Sequence, residues 1–436
     1  MSLRDRLRKY AQQNGPVRVG LIGAGQMGIG FMSQTEKMDG LRVVATADII
    51  PGQAEKGYLE SDVPADAVVH LDDNPEKASE LIAAGKRIAT TDASFLVQIG
   101  ALDVILECTG VPEVGAQVCY NAIQNGKDVV NMNVEADATV GYVLAKKAEE
   151  KGVVYTLVAG DEPGSIKELF DFADALGFEV VYIGKGKNNP LNRSATPDQL
   201  QESAKKQLMN PKMLASFVDG TKTMVEMTSI GNALGYAPEI TGGYGPTCTV
   251  RDLPNIFAPK EAGGIFNGIK AVDFAVGDVA PGVFVIITTD QPKIIRDLRY
   301  LRLLGNPNHN YWALYRPYHL ANLEAPITVA HVGLDKEELL ATHRMPVAET
   351  VAYAKRDLQP GEKIDALGGF TVYGMIERAD KALQNREVPL GLVIGGVITR
   401  PVKAHQPIHY DEIELNQSQL IYRLRKEQEQ LLGYGS

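Results

Sequence analysis

The run Val17-Arg18-Val19-Gly20-Leu21-Ile22, followed without a gap by Gly23-Ala24-Gly25-Gln26-Met27-Gly28, constrains the fold of this chain more than any other segment. A short, nearly unbroken apolar run is what a strand buried on both faces requires, and G-x-G-x-x-G after it marks a tight turn into a helix. Gly23 permits the turn, Gly25 lets a pyrophosphate approach the backbone, and Gly28 lets the helix pack closely on the strand. Gln26 and Met27 fall in the first helical turn, where unpaired N–H groups and the positive dipole end suit a phosphate. Twenty residues after Gly28 stands Asp48, closing the second apolar run of residues 41–47, where an acid takes the ribose hydroxyls of a dinucleotide. A glycine-rich turn alone is a weak signal. Strand, turn, helix and acid in this order predict a dinucleotide site within an α/β fold, a Rossmann-type doubly wound parallel sheet.

With 436 residues the chain is about three times the ~150-residue norm for one domain, so more than one domain is expected. Residues 17–158 alternate short apolar runs (17–22, 41–47, 103–108, 127–132, 153–158) with helical patterns, and a long insertion at 51–100 carries two further helical stretches. Beyond Gly160 the pattern changes to that of an α+β catalytic domain over 161–345, with helices near 164–176, 197–208, 222–235 and 292–304. Its expected strands lie near 178–185, 271–276, 283–289 and 326–333, around a glycine-rich stretch at 241–268 that suits a loop around a ligand. A small β-rich domain from 346 to 436, ending in a charged helix from Gln417, completes the order after the dinucleotide-binding domain of 1–160.

Composition narrows the function classes. The balance of 44 Lys+Arg against 54 Asp+Glu, spread without long charged blocks, argues against a general nucleic-acid binder. No stretch approaches the ~20 apolar residues of a membrane span, and residues 1–13 carry basic residues without the apolar core of a secretory signal. This first segment is expected to form a helix packed on its own domain or on a sister subunit. Three cysteines without metal spacing fit a reduced, cytoplasmic compartment. The partners expected are a small-molecule substrate and further copies of the chain, as a homodimer or homotetramer.

Further motifs narrow the reading. GAGQMG at 23–28, ECTGVPEVGA at 107–116 and AIQNGKDVVNMNVEAD at 122–137 resemble the cofactor domain of the homoserine dehydrogenase-like oxidoreductases. AGDEPGS at 159–165, GKGKNNPLN at 184–192 and YRPYHL at 315–320 resemble the 1-deoxy-D-xylulose 5-phosphate reductoisomerase-like enzymes of that superfamily, and residues 346–416 resemble a SAF domain. The resemblance implies an NAD(P)-dependent oxidoreductase acting on a small polyhydroxylated carbonyl or alcohol, phosphorylated in the isoprenoid-type reaction, which runs with NADPH. Asp48, with no arginine near it, points instead to NAD(H), because a carboxylate there repels a 2′-phosphate. In homoserine dehydrogenases a lysine often follows the asparagine that Asn133 matches; here Val134 stands there, which argues against homoserine as substrate.

In the related dehydrogenases a lysine and nearby acids of the second domain move the alcohol proton. Lys185 and Lys187 lie two apart in an extended segment and so point to the same side, where each lowers the other's pKa; they equally suit one phosphate. Asn188 and Asn189 suit recognition of hydroxyls. Glu162, with Asp161, follows a strand whose carboxyl end collects ligands, and Asp219 and Glu226 flank a helix start. These acids are candidates for acid–base work, for a divalent metal, or for plain helix capping. Arg316 and His319 lie beside a proline-stiffened turn that suits an anion clamp. Thr109 and Gly110 should turn over the nicotinamide half of the cofactor, and Asn133 ends the next strand. The C-terminal domain, which holds none of these motifs, is expected to support assembly or close the site without carrying chemistry. A non-catalytic cofactor-binding sensor is the competing reading from another class.

Overall fold

The computed structural model describes residues 1–188, 191–207 and 209–434. They divide into two compact units, residues 1–164 with 320–343 and residues 165–319 with 344–436.

The first unit opens with helix α1 (Leu3–Asn14), capped by Ser2 and anchored by buried Leu7. Arg4 and Arg8 both reach Asp39, each at 2.9 Å. Then come β1 (Val17–Ile22), α2 (Gln26–Glu36), β2 (Leu41–Ala47), α3 (Gln53–Glu60), β3 (Val68–His70), α4 (Pro75–Ala83), β4 (Arg87–Thr90) and α5 (Ala93–Leu96). They are followed by β5 (Val104–Glu107), α6 (Pro112–Gln124), β6 (Asp128–Asn131), α7 (Val134–Lys151) and β7 (Tyr155–Leu157). The seven strands form one sheet in the order β3-β4-β2-β1-β5-β6-β7. Every pairing is parallel, and the strand order reverses between β1 and β5, the place where such sheets bind nucleotides. This is the doubly wound sheet that the sequence predicts. The long insertion differs from expectation, because it contributes two edge strands, β3 and β4, rather than helices alone. Both are too short to show a period, at 3 and 4 residues.

The chain leaves this unit within α8 (Glu162–Ala175). The second unit is built on β8 (Glu179–Lys187), helices α9 (Pro197–Lys206), α10 (Pro211–Val218), α11 (Thr221–Leu234) and α12 (Leu253–Ile256), strands β9 (Ala271–Val276) and β10 (Val283–Thr288), helix α13 (Pro292–Tyr300) and β11 (Tyr311–Arg316). Its sheet runs β11-β10-β8-β9, with β8 and β9 parallel and the other pairs antiparallel. The glycine-rich stretch is tied to the unit itself: buried Asp273 on β9 accepts the N–H groups of Tyr244 (2.7 Å) and Gly245 (3.1 Å).

Residues 326–333, expected as a strand, lie in helix α14 (Ala321–Asp335), which returns to the first unit despite Pro326 inside it. Val, Ile and Thr there favour a strand by propensity, but the helix packs on α2 and the sheet, and burial overrides that preference. Gly333 allows the approach, since a Cβ on it would lie 2.5 Å from Val17.

In the C-terminal part, β12 (Ala348–Ala354) and β13 (Val372–Arg378) pair antiparallel, followed by α15 (Ala379–Gln384), the short pair β14 (Val397–Ile398) and β15 (Ile413–Glu414), and α16 (Leu420–Leu431). This part belongs to the same compact unit as the second sheet. Helix α11, buried on nearly every face, lies against β9 on one side and β12–β13 on the other.

Two glycines are required by close backbone approach. A Cβ on Gly28 would lie 2.0 Å from the Gly23 carbonyl oxygen, and one on Gly186 would lie 2.2 Å from the Ala280 nitrogen, whereas one on Gly25 meets nothing within 4 Å. Gly28→Ala and Gly186→Ala should each lower stability by about 1–3 kcal/mol through overpacking, while Gly25→Ala leaves it unchanged. Thermal unfolding midpoints of the three variants check this.

Candidate active site

At the carboxyl ends of the first sheet, the backbone turns from β1 through Gly23 (φ 98°) into α2, whose N-cap is Gly25. No side chain caps this helix start, and the space over Gly25 is open. The site therefore fits the diphosphate of a dinucleotide: N–H groups of the first turn are available, and the cradle is one that a Cβ would fill. Gln26 is exposed and Met27 half-buried at the same edge. Asp48, at the end of β2, is held rigidly. One carboxylate oxygen accepts the Ala24 N–H (2.8 Å) and the other the Ile50 N–H (2.9 Å), which leaves acceptor capacity on both oxygens.

Across the switch point, Ile22 on β1 is level with Glu107 on β5, and Glu107 with Asn131 on β6. Glu107 is fully buried, and its Oε1 accepts both the N–H (2.9 Å) and the hydroxyl of Thr109. Burial raises its pKa to about 7 against the opposing effect of these hydrogen bonds. Thr109 is thus bound from below, Gly110 is exposed with φ 67°, and the turn between them is fixed in shape. Asn133 is not at the surface of this turn. It is fully buried, caps α7 through the Ala136 N–H (3.1 Å), and donates to the Val111 carbonyl (3.0 Å), so it supports the turn from behind. Asn131 donates to the Tyr155 hydroxyl (3.0 Å), which donates in turn to Asp137 (3.0 Å). Glu107, Asn131 and Tyr155 lie in motifs or strands visible in the sequence, but nothing short of the strand register shows them as one buried polar layer. Glu162 is buried at the start of α8, and Asp161 beside it is half-buried.

The second unit carries the lysines. Strand β8 places Lys185 and Lys187 on the face toward α11, and both are about 95% buried, with 5% and 4% exposure. Glycines 184 and 186 between them let the other face close on Phe284 and Ala280. Lys185 is ion-paired with Glu226 on α11, which is also buried. The Lys187 ammonium donates to the Phe217 carbonyl (2.7 Å), and its pKa falls from 10.5 to about 8, chiefly through burial and then through Lys185. Asp219, the residue before α11's N-cap, is fully buried. It accepts the Thr221 N–H (2.8 Å) and is paired at 2.8 Å with Lys355 from the C-terminal part. Its carbonyl accepts from Arg193 (3.0 Å), whose guanidinium lies 5.3 Å over the Tyr373 ring. Arg193, Lys355 and Tyr373 are absent from the sequence-derived candidates, and no local motif marks them.

Asn188 is exposed at the end of β8, and Asn189 lies outside the described residues. Arg316, at the end of β11, is largely buried and paired with Glu168 at 2.7 Å, with Tyr318 4.6 Å from its guanidinium. His319 donates from Nδ1 to the Pro281 carbonyl (2.7 Å). Among the described residues no helix is long and apolar enough to cross a membrane.

A glycine turn at the switch point of a parallel sheet, joined to a unit with buried lysine–carboxylate pairs, defines an NAD(P)-dependent oxidoreductase. Family models agree along the chain. Residues 23–157 match the NAD-binding domain of homoserine dehydrogenase, residues 160–325 the catalytic domain of oxidoreductase DRL, and residues 349–414 the SAF domain. The central segment is thus a DRL-type catalytic domain, followed by a SAF domain. Comparison with curated proteins returns no match. Solved structures similar to this chain include one described as a "probable dehydrogenase" from Thermotoga maritima (13% identity, 74% of this chain and 90% of that one, TM-score 0.42). Another is scyllo-inositol dehydrogenase from Lactobacillus casei with bound NAD(H) and scyllo-inositol (16% identity, 62% and 73%, TM-score 0.35).

The Lys187 pKa has a sign that can be tested. Between about 8 and its ordinary 10.5, the unfolded chain holds a proton that the native amine has released. This group's contribution to stability therefore rises with pH across that window and is flat below it. In protein labelled with 13C at lysine, one side-chain resonance should titrate near pH 8, apart from the others, and vanish in Lys187→Met.

Proposed function

We propose that the protein transfers a hydride between NAD(H) and a small polyhydroxylated carbonyl or alcohol, with Lys187 holding and moving the hydroxyl proton. The observation that carries this reading is the burial of Lys187 on the face it shares with a second, ion-paired lysine, a setting in which desolvation lowers its pKa to about 8. A group whose pKa lies near the working pH serves both as proton donor and as acceptor. The nicotinamide, when bound, supplies or receives the hydride; the protein's own residues do the rest. The start of α2 and Gly23, Gly25 and Gly28 hold the diphosphate, Asp48 the ribose hydroxyls, and the Thr109–Gly110 turn the nicotinamide half. Lys187 as the ammonium donates to the oxygen that gains charge on reduction, and as the amine takes the proton back on oxidation. Lys185, held by Glu226, keeps a fixed positive charge beside it, which favours Lys187's release of its proton and stabilises an alkoxide or phosphate oxygen. Asn188 supplies an amide for substrate hydroxyls. Asp219 and Glu226 each face a lysine ammonium, Lys355 and Lys185 in turn.

The resemblance to the reductoisomerase-like enzymes supports 1-deoxy-D-xylulose 5-phosphate as the substrate. Asp48 supports an NAD-linked dehydrogenase of a related sugar, polyol or hydroxy acid, because a rigidly held carboxylate opposes a 2′-phosphate. Incubation with NADH and NADPH in separate arms, with this sugar phosphate and a panel of polyols and hydroxy acids, decides between them by nicotinamide absorbance. Turnover of the sugar phosphate identifies the first substrate. Turnover confined to the panel identifies the second, and none at all returns the protein to a sensor role. NADH should bind more tightly than NADPH, and Asp48→Ser should narrow the gap by removing a charge-assisted bond of about 1.5–3 kcal/mol. Equal or tighter binding of NADPH by the unmodified protein would falsify the reading of Asp48.

A further inference from the structure

The turn of residues 217–221 is the point on which the catalytic unit converges. The Phe217 carbonyl takes the Lys187 ammonium (2.7 Å), and the Asp219 carbonyl takes Arg193 (3.0 Å). The Asp219 carboxylate accepts the Thr221 N–H (2.8 Å) on one oxygen, and its other oxygen is ion-paired with the Lys355 ammonium at 2.8 Å. Lys355 comes from the SAF segment and donates to the carbonyls of Ala195 (2.6 Å) and Gly369 (2.8 Å). The ammonium thus makes one hydrogen bond to the catalytic segment and one within the SAF segment, and its charge lies against the Asp219 carboxylate. The same segment adds the Gly374 N–H, which donates to the Thr221 hydroxyl (2.9 Å), and the Tyr373 ring under Arg193. Side-chain exposure is 2% for Lys355 and 0% for Asp219, so neither charge is compensated by solvent.

We propose that Lys355 is a positioning residue of the active site, and that the SAF domain is thereby a working part of the catalytic centre rather than an assembly module. Lys355 neutralises Asp219 and fixes the turn on which Lys187 rests. The sequence leads to the expectation that the C-terminal domain supports assembly or closes the site; in the structure its strand β13 lies on α11, and its lysine completes the charge pattern there. The proposal rests on the reading of Lys187 as the proton-moving group. Among the charged groups that act on Lys187, Lys185 and Arg193 disfavour its proton, and Asp219 and Glu226 favour it. With Lys355 removed, Asp219 presents an unbalanced negative charge and should hold the Lys187 proton more tightly. With both removed, that hold is lost.

The test compares full-length Lys355→Met, Asp219→Asn and the double variant with the unmodified protein. Thermal unfolding, NADH affinity, turnover on the substrate identified above and the 13C titration of Lys187 are measured for each. Lys355→Met should destabilise the fold, because it leaves a buried charge unpaired, and should move the Lys187 titration to higher pH. The double variant should recover the unfolding midpoint but titrate below the unmodified protein, with kcat at least tenfold down and NADH affinity unchanged. A double variant with normal kcat and an unmoved titration overturns the proposal and leaves the pair as packing alone. Failure of every variant to fold also confines the pair to stability and overturns it. Normal turnover in Lys187→Met is a separate result, which removes the reading of Lys187 itself, whatever the Lys355 variants show.

Discussion

Helix α11 imposes the strictest physical constraint on this protein. It is buried on nearly every face, so its polar groups must find partners inside the protein or not be there at all. Glu226 within it is ion-paired with Lys185, and Asp219 just before it with Lys355. Asn232 near its end accepts the N–H groups of Val347 and Ala348, both at 2.8 Å. Each partner comes from a different stretch of chain, and the helix can sit where it does only when all of them arrive. Two lysines excluded from water there, Lys185 and Lys355, each lie against a carboxylate, whereas Lys187 meets a carbonyl and has its pKa lowered to about 8 by burial.

The cofactor-binding unit solves a different problem. The proposed phosphate site consists of backbone N–H groups, which are fixed once the turn is fixed, and side chains hold that turn in shape. Asp48 is clamped by two backbone N–H groups, and Glu107 accepts from Thr109 below the opposite side of the switch point. A buried acid near neutrality costs little in its protonated form, so Glu107 can support the turn without placing a full charge under it.

The division of labour follows from these two solutions. Rigid backbone serves the part of the cofactor that does not react. In the proposed reaction, long, buried, titratable side chains on β8 and α11 serve the proton that moves with the hydride. The remaining acids and cations are largely committed to one another, as Arg316 is to Glu168 and Arg425 is to Glu349 (2.6 Å), and they hold elements in place.

The sequence by itself determined the parallel sheet and the glycine turn, because both are local: an apolar run, a gapless G-x-G-x-x-G and an acid twenty residues on can be read without knowing what packs where. It also pointed to Lys185 and Lys187, because a two-residue period puts both on one side of a strand. The edge strands β3 and β4 were illegible because so few residues carry no period, and α14 was misread because its β-branched residues are buried as a helix against the sheet. Asn133 was legible as a motif residue but not as the support behind Val111. Only the tertiary structure decided that Arg193, Lys355 and Tyr373 gather around Asp219. Lys355 stands 136 positions from Asp219 in the chain, and no spacing rule connects them. What joins them is a desolvated carboxylate that needs a positive charge, and whichever strand folds over it must supply one.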